Sequence, residues 1–260
     1  MSYGRVSTFD SFWRQRDPRI KLLVMFSLAF LTILGKHLQG QAIVLLLCGL
    51  LYYSAKIPIF VPAKAVYSFR WLFGLIFLTN LLFITEGRKL PGLPVTDVAL
   101  NFSLIYVGRL INLILTGVWL MSVTDPLALI RGIEGILAPA KRFLPVGEVA
   151  LVLGLALQFL PALVEEAQEI TMAQQARGLN FHGNLQQKVT GAVSILIPLF
   201  LSTLHRSSEL AQAMEARGFI PGEKRGSYDD LSWKREDTLV LAFLLCLLVG
   251  WTLWRRVWVL

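Results

Sequence analysis

The sequence predicts an all-α fold: a polytopic helical membrane protein carrying two long helices that end in one shared tripeptide. Three observations predict it. Hydrophobic residues make up 55% of the 260 positions and charged residues 16%, with a mean hydropathy of +0.61; this excludes disorder and argues against an ordinary soluble domain. The apolar residues form continuous Leu/Ile/Val/Phe blocks close to the roughly 20 residues that cross a bilayer, whereas barrel strands would show short alternating segments. Finally, two long helical patterns close on Ala176-Arg177-Gly178 and Ala216-Arg217-Gly218.

In chain order, residues 1–19 are polar with interspersed aromatics, and Phe9, Phe12 and Trp13 suit the membrane interface beside arginines. Spans follow at about 20–35, 41–56, 66–85 and 101–123, with a Pro58/Pro62 loop after the second and a loop holding Gly87, Pro91, Gly92 and Pro94 after the third. The first apolar run reads as the first span, not a signal peptide. Arg5, Arg14, Arg16, Arg19 and Lys21 face only Asp10 and Asp17 near the N-terminus. The positive-inside bias therefore places that end in the cytoplasm, with 57–65 and 124 onward on the same side.

The pattern changes at Thr124-Asp125-Pro126, a helix start with a capping Asp and Pro at the first helical position. Leu127, Ile130, Ile133 and Leu137 follow at the spacing of a short amphipathic helix. Long helices are predicted over about 147–177 and 185–217, each apolar in its first part and polar at its end, with Pro161 and Pro198 as internal kinks or hinges. A last span covers about 238–254. The domain division is thus 1–123, a transmembrane domain of about four spans; 124–236, a cytoplasmic coupling domain; and 237–260, a C-terminal transmembrane helix. One count stays open. If 124–236 is wholly cytoplasmic, Arg255 and Arg256 end outside against the charge bias; alternatively, one long half-apolar helix dips into the membrane.

The repeat carries the functional signal. Residues 169–179 and 209–219 share Glu, Ala, Ala, Arg and Gly at the same five places, and an apolar residue closes each. A single Ala-Arg-Gly is explained by helix termination, because Arg suits the negative helix end and Gly the residue after it. Two copies on two long helices read as two prongs of one docking device. The alanines reduce bulk before each arginine, which lets helices approach closely, and guanidinium offers a rigid fork of donors to carboxylates or carbonyls.

Other groups point less sharply. Net charge is +8, but 124–236 is charge-rich and nearly balanced, so a nucleic-acid stripe is not indicated. Cys48 and Cys246 lie in apolar runs and read as small hydrophobes. His37, His182 and His205 are too scattered for a metal motif. Glu165, Glu166 and Glu169 form a solvated helix face. Arg109 falls inside the fourth apolar block, where snorkelling or pairing within the bundle accounts for it, and Gly108 and Gly117 are weak signals of close helix contact. The phosphate-binding pattern G-x-x-x-x-G-K-[ST] is absent, so ATP hydrolysis is not expected of this chain. Neither a catalytic set, a cofactor motif nor a metal-ligand set is found.

Several blocks together resemble the transmembrane T component of energy-coupling factor (ECF) transporters, the ATP-driven vitamin and metal importers of prokaryotes. They are Asp17-Pro18-Arg19-Ile20-Lys21-Leu22-Leu23, Thr124-Asp125-Pro126-Leu127 with Gly132-Ile133-Glu134, Pro145-Val146 with Glu148-Val149-Ala150-Leu151, and Ala156-Leu157-Gln158-Phe159-Leu160-Pro161. The two Ala-Arg-Gly ends complete the set. The second end, with Gly222-Glu223 and Trp233, looks most like the type shared among several substrate-binding subunits; Gln158 departs from an arginine of many relatives. The resemblance implies a multi-pass protein of the prokaryotic cell membrane. It implies that Arg177 and Arg217 dock in two ABC-type ATPase subunits, with Ala176, Gly178, Ala216 and Gly218 shaping the helix ends. It further implies that the long helices relay ATPase closure to a separate membrane subunit that binds the vitamin. The alternatives are an autonomous permease with its own substrate path, and a membrane-embedded enzyme. The enzyme needs convergent His, Glu or Ser groups at membrane depth, and the apolar blocks supply few.

Overall fold

The computed structural model describes residues 13, 16–84, 96–139, 145–179, 183–220, 222 and 235–259. Phe9, Phe12, the 87–94 loop residues, His182, Glu223 and Trp233 lie outside the described residues. Nine helices are present among those described: α1 Pro18–Leu34, α2 Leu38–Ser54, α3 Phe60–Ser68, α4 Arg70–Phe83, α5 Asp97–Val123, α6 Pro126–Ile136, α7 Val146–Ala176, α8 Leu185–Ala216 and α9 Arg235–Val259. The chain divides into two compact units, Met1–Ile136 with Asp229–Leu260, and Leu137–Tyr228.

In the first unit α5 is the hub, packing on α1, α2, α3 and α4, while α1 also meets α6 and α9. The core faces follow helical spacing. Ile20, Val24, Leu28 and Leu31 line α1, Val44, Cys48 and Tyr52 line α2, and Trp119, Leu120 and Val123 line α5. The opposite faces are also apolar: Phe26, Phe30, Leu46 and Leu50 are more than half exposed. That inside-out pattern suits lipid, where helix association rests on close packing and polar links, not on escape from water. Tyr52 supplies one such link, donating to the Leu115 carbonyl at 2.8 Å. Lys21 supplies another, its buried Nζ donating to the Val123 carbonyl at 3.1 Å, a group the end of α5 leaves unpaired.

Local signals in the sequence set several boundaries. Asp17 caps α1, its carboxylate accepting from the Arg19 amide at 2.9 Å, with Pro18 first in the helix. The α6 helix begins at Pro126 as its Asp-Pro start predicts. Its packing face differs from the amphipathic reading, because Leu127, Ile133 and Leu137 are exposed. The face turned to α1 is the small one: a Cβ on Gly132 would stand 3.0 Å from Pro18 Cβ and Leu22 Cδ1. Glycine lets the two backbones come together where a larger residue could not.

Three further differences are physical. The stretch expected as one span at 66–85 is a pair, α3 and α4, bent by 53° where Phe69 leaves the helical well at φ −95°, ψ 11°. Pro62 is not in a loop; it occupies the first turn of α3, where helix amides lack partners and a missing N–H costs nothing. Trp13 is not an interface residue: it is 6% exposed, donates to Ser54 Oγ at 2.7 Å and stands edge-on to Trp119 with ring centroids 5.1 Å apart.

By length and composition, α5, α7 and α8 among the described residues are each able to cross a membrane, and the α3–α4 pair is a fourth only if it crosses as one broken span. The α1 and α2 helices have 17 residues each, about 25 Å at ~1.5 Å per residue. The second unit consists mainly of α7 and α8, of 31 and 32 residues. Both run unbroken through Pro161 and Pro198, which leave the carbonyls of Leu157 and Ser194 without their usual helical donors.

Candidate functional site

The candidate site is the pair of helix ends in the second unit. At the end of α7, the Gly178 amide donates to the Gln175 carbonyl at 2.9 Å and the Leu179 amide to Gln174 at 3.1 Å; at the end of α8, Gly218 donates to Glu215 at 2.9 Å and Phe219 to Met214 at 3.0 Å. Each is a Schellman termination, with two amides folding back on carbonyls that would otherwise lack donors. It needs a left-handed residue just after the cap, and Gly178 (φ +87°) and Gly218 (φ +75°) provide it. Arg177 and Arg217 are therefore the caps themselves, both exposed. Ala176, Gly178, Ala216 and Gly218 are exposed beside them.

The two helices share more than their tips. The half-buried residues of α7 toward its end are Ala162, Leu163, Glu166, Ala167, Ile170, Thr171 and Gln174; on α8 they are Ser202, Thr203, Arg206, Leu210 and Met214. Every one of these α8 positions lies 40 residues after an α7 position in the same stripe. Across the pair, Arg206 Nη2 donates to Glu166 Oε2 at 3.3 Å. The acidic run is thus not wholly a solvated face, since one of its members is taken within the chain. A Glu166 partner 40 residues away leaves no mark in local sequence, which is why reading the run alone missed it. Asn184 opens α8, its backbone N–H donating to Gln187 Oε1 at 3.1 Å.

Groups elsewhere are occupied structurally. Arg109 pairs inside the bundle, donating to the Gly35 carbonyl at 3.2 Å with its guanidinium 5.2 Å from the Tyr106 ring centroid. Gly108 lies against Gln41, whereas Gly117 has open space around it. His205 is exposed and pairs with Glu209 one turn on at 3.3 Å. Cys48 is buried and Cys246 exposed, both free. A recess of about 380 Å³ between α1, α2 and α9 is lined by leucines, Val24, Val240 and Phe243. Its polar members, Trp13 and Ser54, hydrogen-bond each other, so it offers a polar solute no convergent set of free groups.

The fold and these ends define a polytopic helical membrane protein whose prominent candidate site is a pair of matched, exposed arginine caps. Comparison with known proteins is specific. The family model described as Cobalt transport protein (CbiQ) matches residues 9–228. A protein of Bacillus selenitireducens, named energy-coupling factor transporter transmembrane protein EcfT, is 36% identical over 256 residues, covering 93% of this chain and 92% of its own. Proteins of the same name from Limosilactobacillus fermentum and Bacillus subtilis are 31% and 33% identical. They cover 92% and 95% of this chain and the same shares of their own. The chain belongs to the EcfT family, the transmembrane component of energy-coupling factor transporters.

Proposed function

We propose that this chain is the non-catalytic coupling subunit of an ECF importer of the shared type. Two ABC-type ATPase subunits grip Arg177 and Arg217 from the cytoplasm. Their closure on ATP is carried through α7 and α8, within the coupling domain 124–236, to a separate membrane subunit that binds the vitamin. The N-terminus lies on the cytoplasmic side in this reading, with the polar ends of both long helices. Pro161 and Pro198 serve as hinges, since each leaves a carbonyl without its helical bond and lowers the resistance to bending.

The observation that carries the reading is the doubled cap. One tip is a helix terminus; two tips with the same five residues, the same terminating bonds and the same exposure suit a single chain that engages two like partners. Charge gives the mechanism of grip. Each guanidinium adds a full positive charge to a helix end that carries partial negative charge, so the tip presents a net donor fork that a groove offering carboxylates and carbonyls can satisfy. The test is co-purification with the ATPases from the native membrane. Arg177→Glu and Arg217→Glu together are expected to abolish ATPase capture and ATP-driven uptake while the protein still inserts. Capture and uptake unchanged in the double variant would sink the reading.

A further inference from the structure

We propose that Glu166 and Arg206 are positioning residues, a pin that sets how α7 and α8 are paired and so fixes the separation of the two arginine tips. The inference rests on the docking reading for its purpose, though not for its geometry. The first ground is register. Glu166 lies eleven residues before Arg177, and Arg206 eleven residues before Arg217. The bridge therefore joins equivalent positions of the two copies. In a simple hairpin about the 177–185 connection, Glu166 would face a residue equally far from the turn, near Leu196. It faces Arg206 instead, so two arms of equal length extend beyond the pin, each about 16 Å at ~1.5 Å per residue.

The second ground is charge. Where equivalent positions of two like elements meet, they meet on the axis that relates them. Two identical copies would set Glu against Glu there and repel. The arms beyond this point keep Glu, Ala, Ala, Arg and Gly in common, whereas the residues at the meeting point are opposite in sign. A pair this exposed, 20% for Glu166 and 41% for Arg206, contributes little to stability. Its use is geometric: a charge-assisted bond has one preferred register, whereas the small residues flanking it, Ala162, Ala167, Ser202 and Ser207, allow sliding. With arms of that length, each 10° of rotation about the pin moves one tip about 3 Å relative to the other. Two docking partners that must be engaged together would register such a change.

The test uses the full chain in lipid nanodiscs, with Cys48→Ala and Cys246→Ala and nitroxide labels at Met172→Cys and Gln212→Cys. Both label sites are exposed and lie on the arms between pin and tip. Pulsed dipolar spectroscopy is expected to give one narrow distance distribution. The labels stand six residues from the pin, about 9 Å, so Glu166→Arg or Arg206→Glu should shift the mean by about 1.5 Å for each 10° of rotation, or double the width, and Glu166→Arg with Arg206→Glu should restore it. An unchanged distribution in the single reversals would overturn the proposal. So would a swap that leaves it unrestored while circular dichroism matches the parent. If a reversal does not fold, Glu166→Gln serves in its place, with the same broadening expected and an unchanged distribution counting against the pin. ATPase capture is scored separately, so loss of the docking reading would leave the distance result standing on its own.

Discussion

Asn112 on α5 holds Gln41 on α2 by both its backbone and its side chain. The Asn112 amide donates to the Gln41 carbonyl at 3.0 Å and to Gln41 Oε1 at 3.1 Å. Gln41 in turn donates to the carbonyls of Thr32 and Gly35 at 3.0 and 2.9 Å, at the end of α1. One chain of amides thus ties three helices through a core where water cannot substitute. Asn112→Leu should destabilise the protein by about 1–3 kcal/mol, because it leaves Gln41 Oε1 buried without a donor. Thermal unfolding in detergent measures this, and a melting temperature equal to the parent's would contradict it.

Glycines inside the helices divide into those that admit a close neighbour and those with open space around them. A Cβ on Gly40 would stand 2.9 Å from the Trp251 ring, and one on Gly132 would lie 3.2 Å from the Pro18 carbonyl carbon, a backbone atom that cannot rotate aside. Gly40→Val and Gly132→Val are each expected to cost about 1–3 kcal/mol by overpacking. Gly117→Ala meets nothing within 4 Å, and should instead stabilise α5 by about 0.5–1 kcal/mol. Parallel thermal melts separate the two groups by sign.

Arg16 binds the start of α9, in contact with Glu236 and 3.6 Å from Asp237, whose side chain has no exposure. Removing the cation takes a charged partner from a buried carboxylate. Arg16→Met should therefore destabilise by about 3–5 kcal/mol, and Arg16→Met with Asp237→Leu should recover most of that loss. The comparison of single and double variants by unfolding decides it; a double variant no better than the single would count against the buried pair.

At the tips, Gly178 and Gly218 have open space around them but positive φ. Alanine there meets no clash and pays only the left-handed conformation, about 1–2 kcal/mol. The effect should stay local: faster amide hydrogen exchange in the last turn of α7 or α8 with little change in global unfolding. Exchange rates identical to the parent's would contradict the cap geometry.

Much of the fold could be read from the sequence because its cues are local. Asp-Pro marked the start of α6 at Pro126, and glycine after arginine marked the ends of α7 and α8. What was not legible depends on distant partners or on the absence of a marker. The break at Phe69 has neither Pro nor Gly within it, and Ser68 and Arg70 beside it are no specific marker of a helix end. Trp13 looks like an interface aromatic until its partners, Ser54 and Trp119, are brought to it by the bundle. Polar residues inside apolar runs, such as Gln41 and Asn112, were the available clue to the α1–α2–α5 link. The Glu166–Arg206 bond unites an acidic run with a basic residue 40 positions away, and only the shared repeat register hints at it.

Native mass spectrometry of the complex released from detergent counts the ATPases held by the two arginine tips. Two ATPase subunits are expected on the parent chain, one on Arg177→Glu, one on Arg217→Glu and none on the double variant. Two ATPase subunits retained by either single variant and by the double variant would contradict docking at these tips.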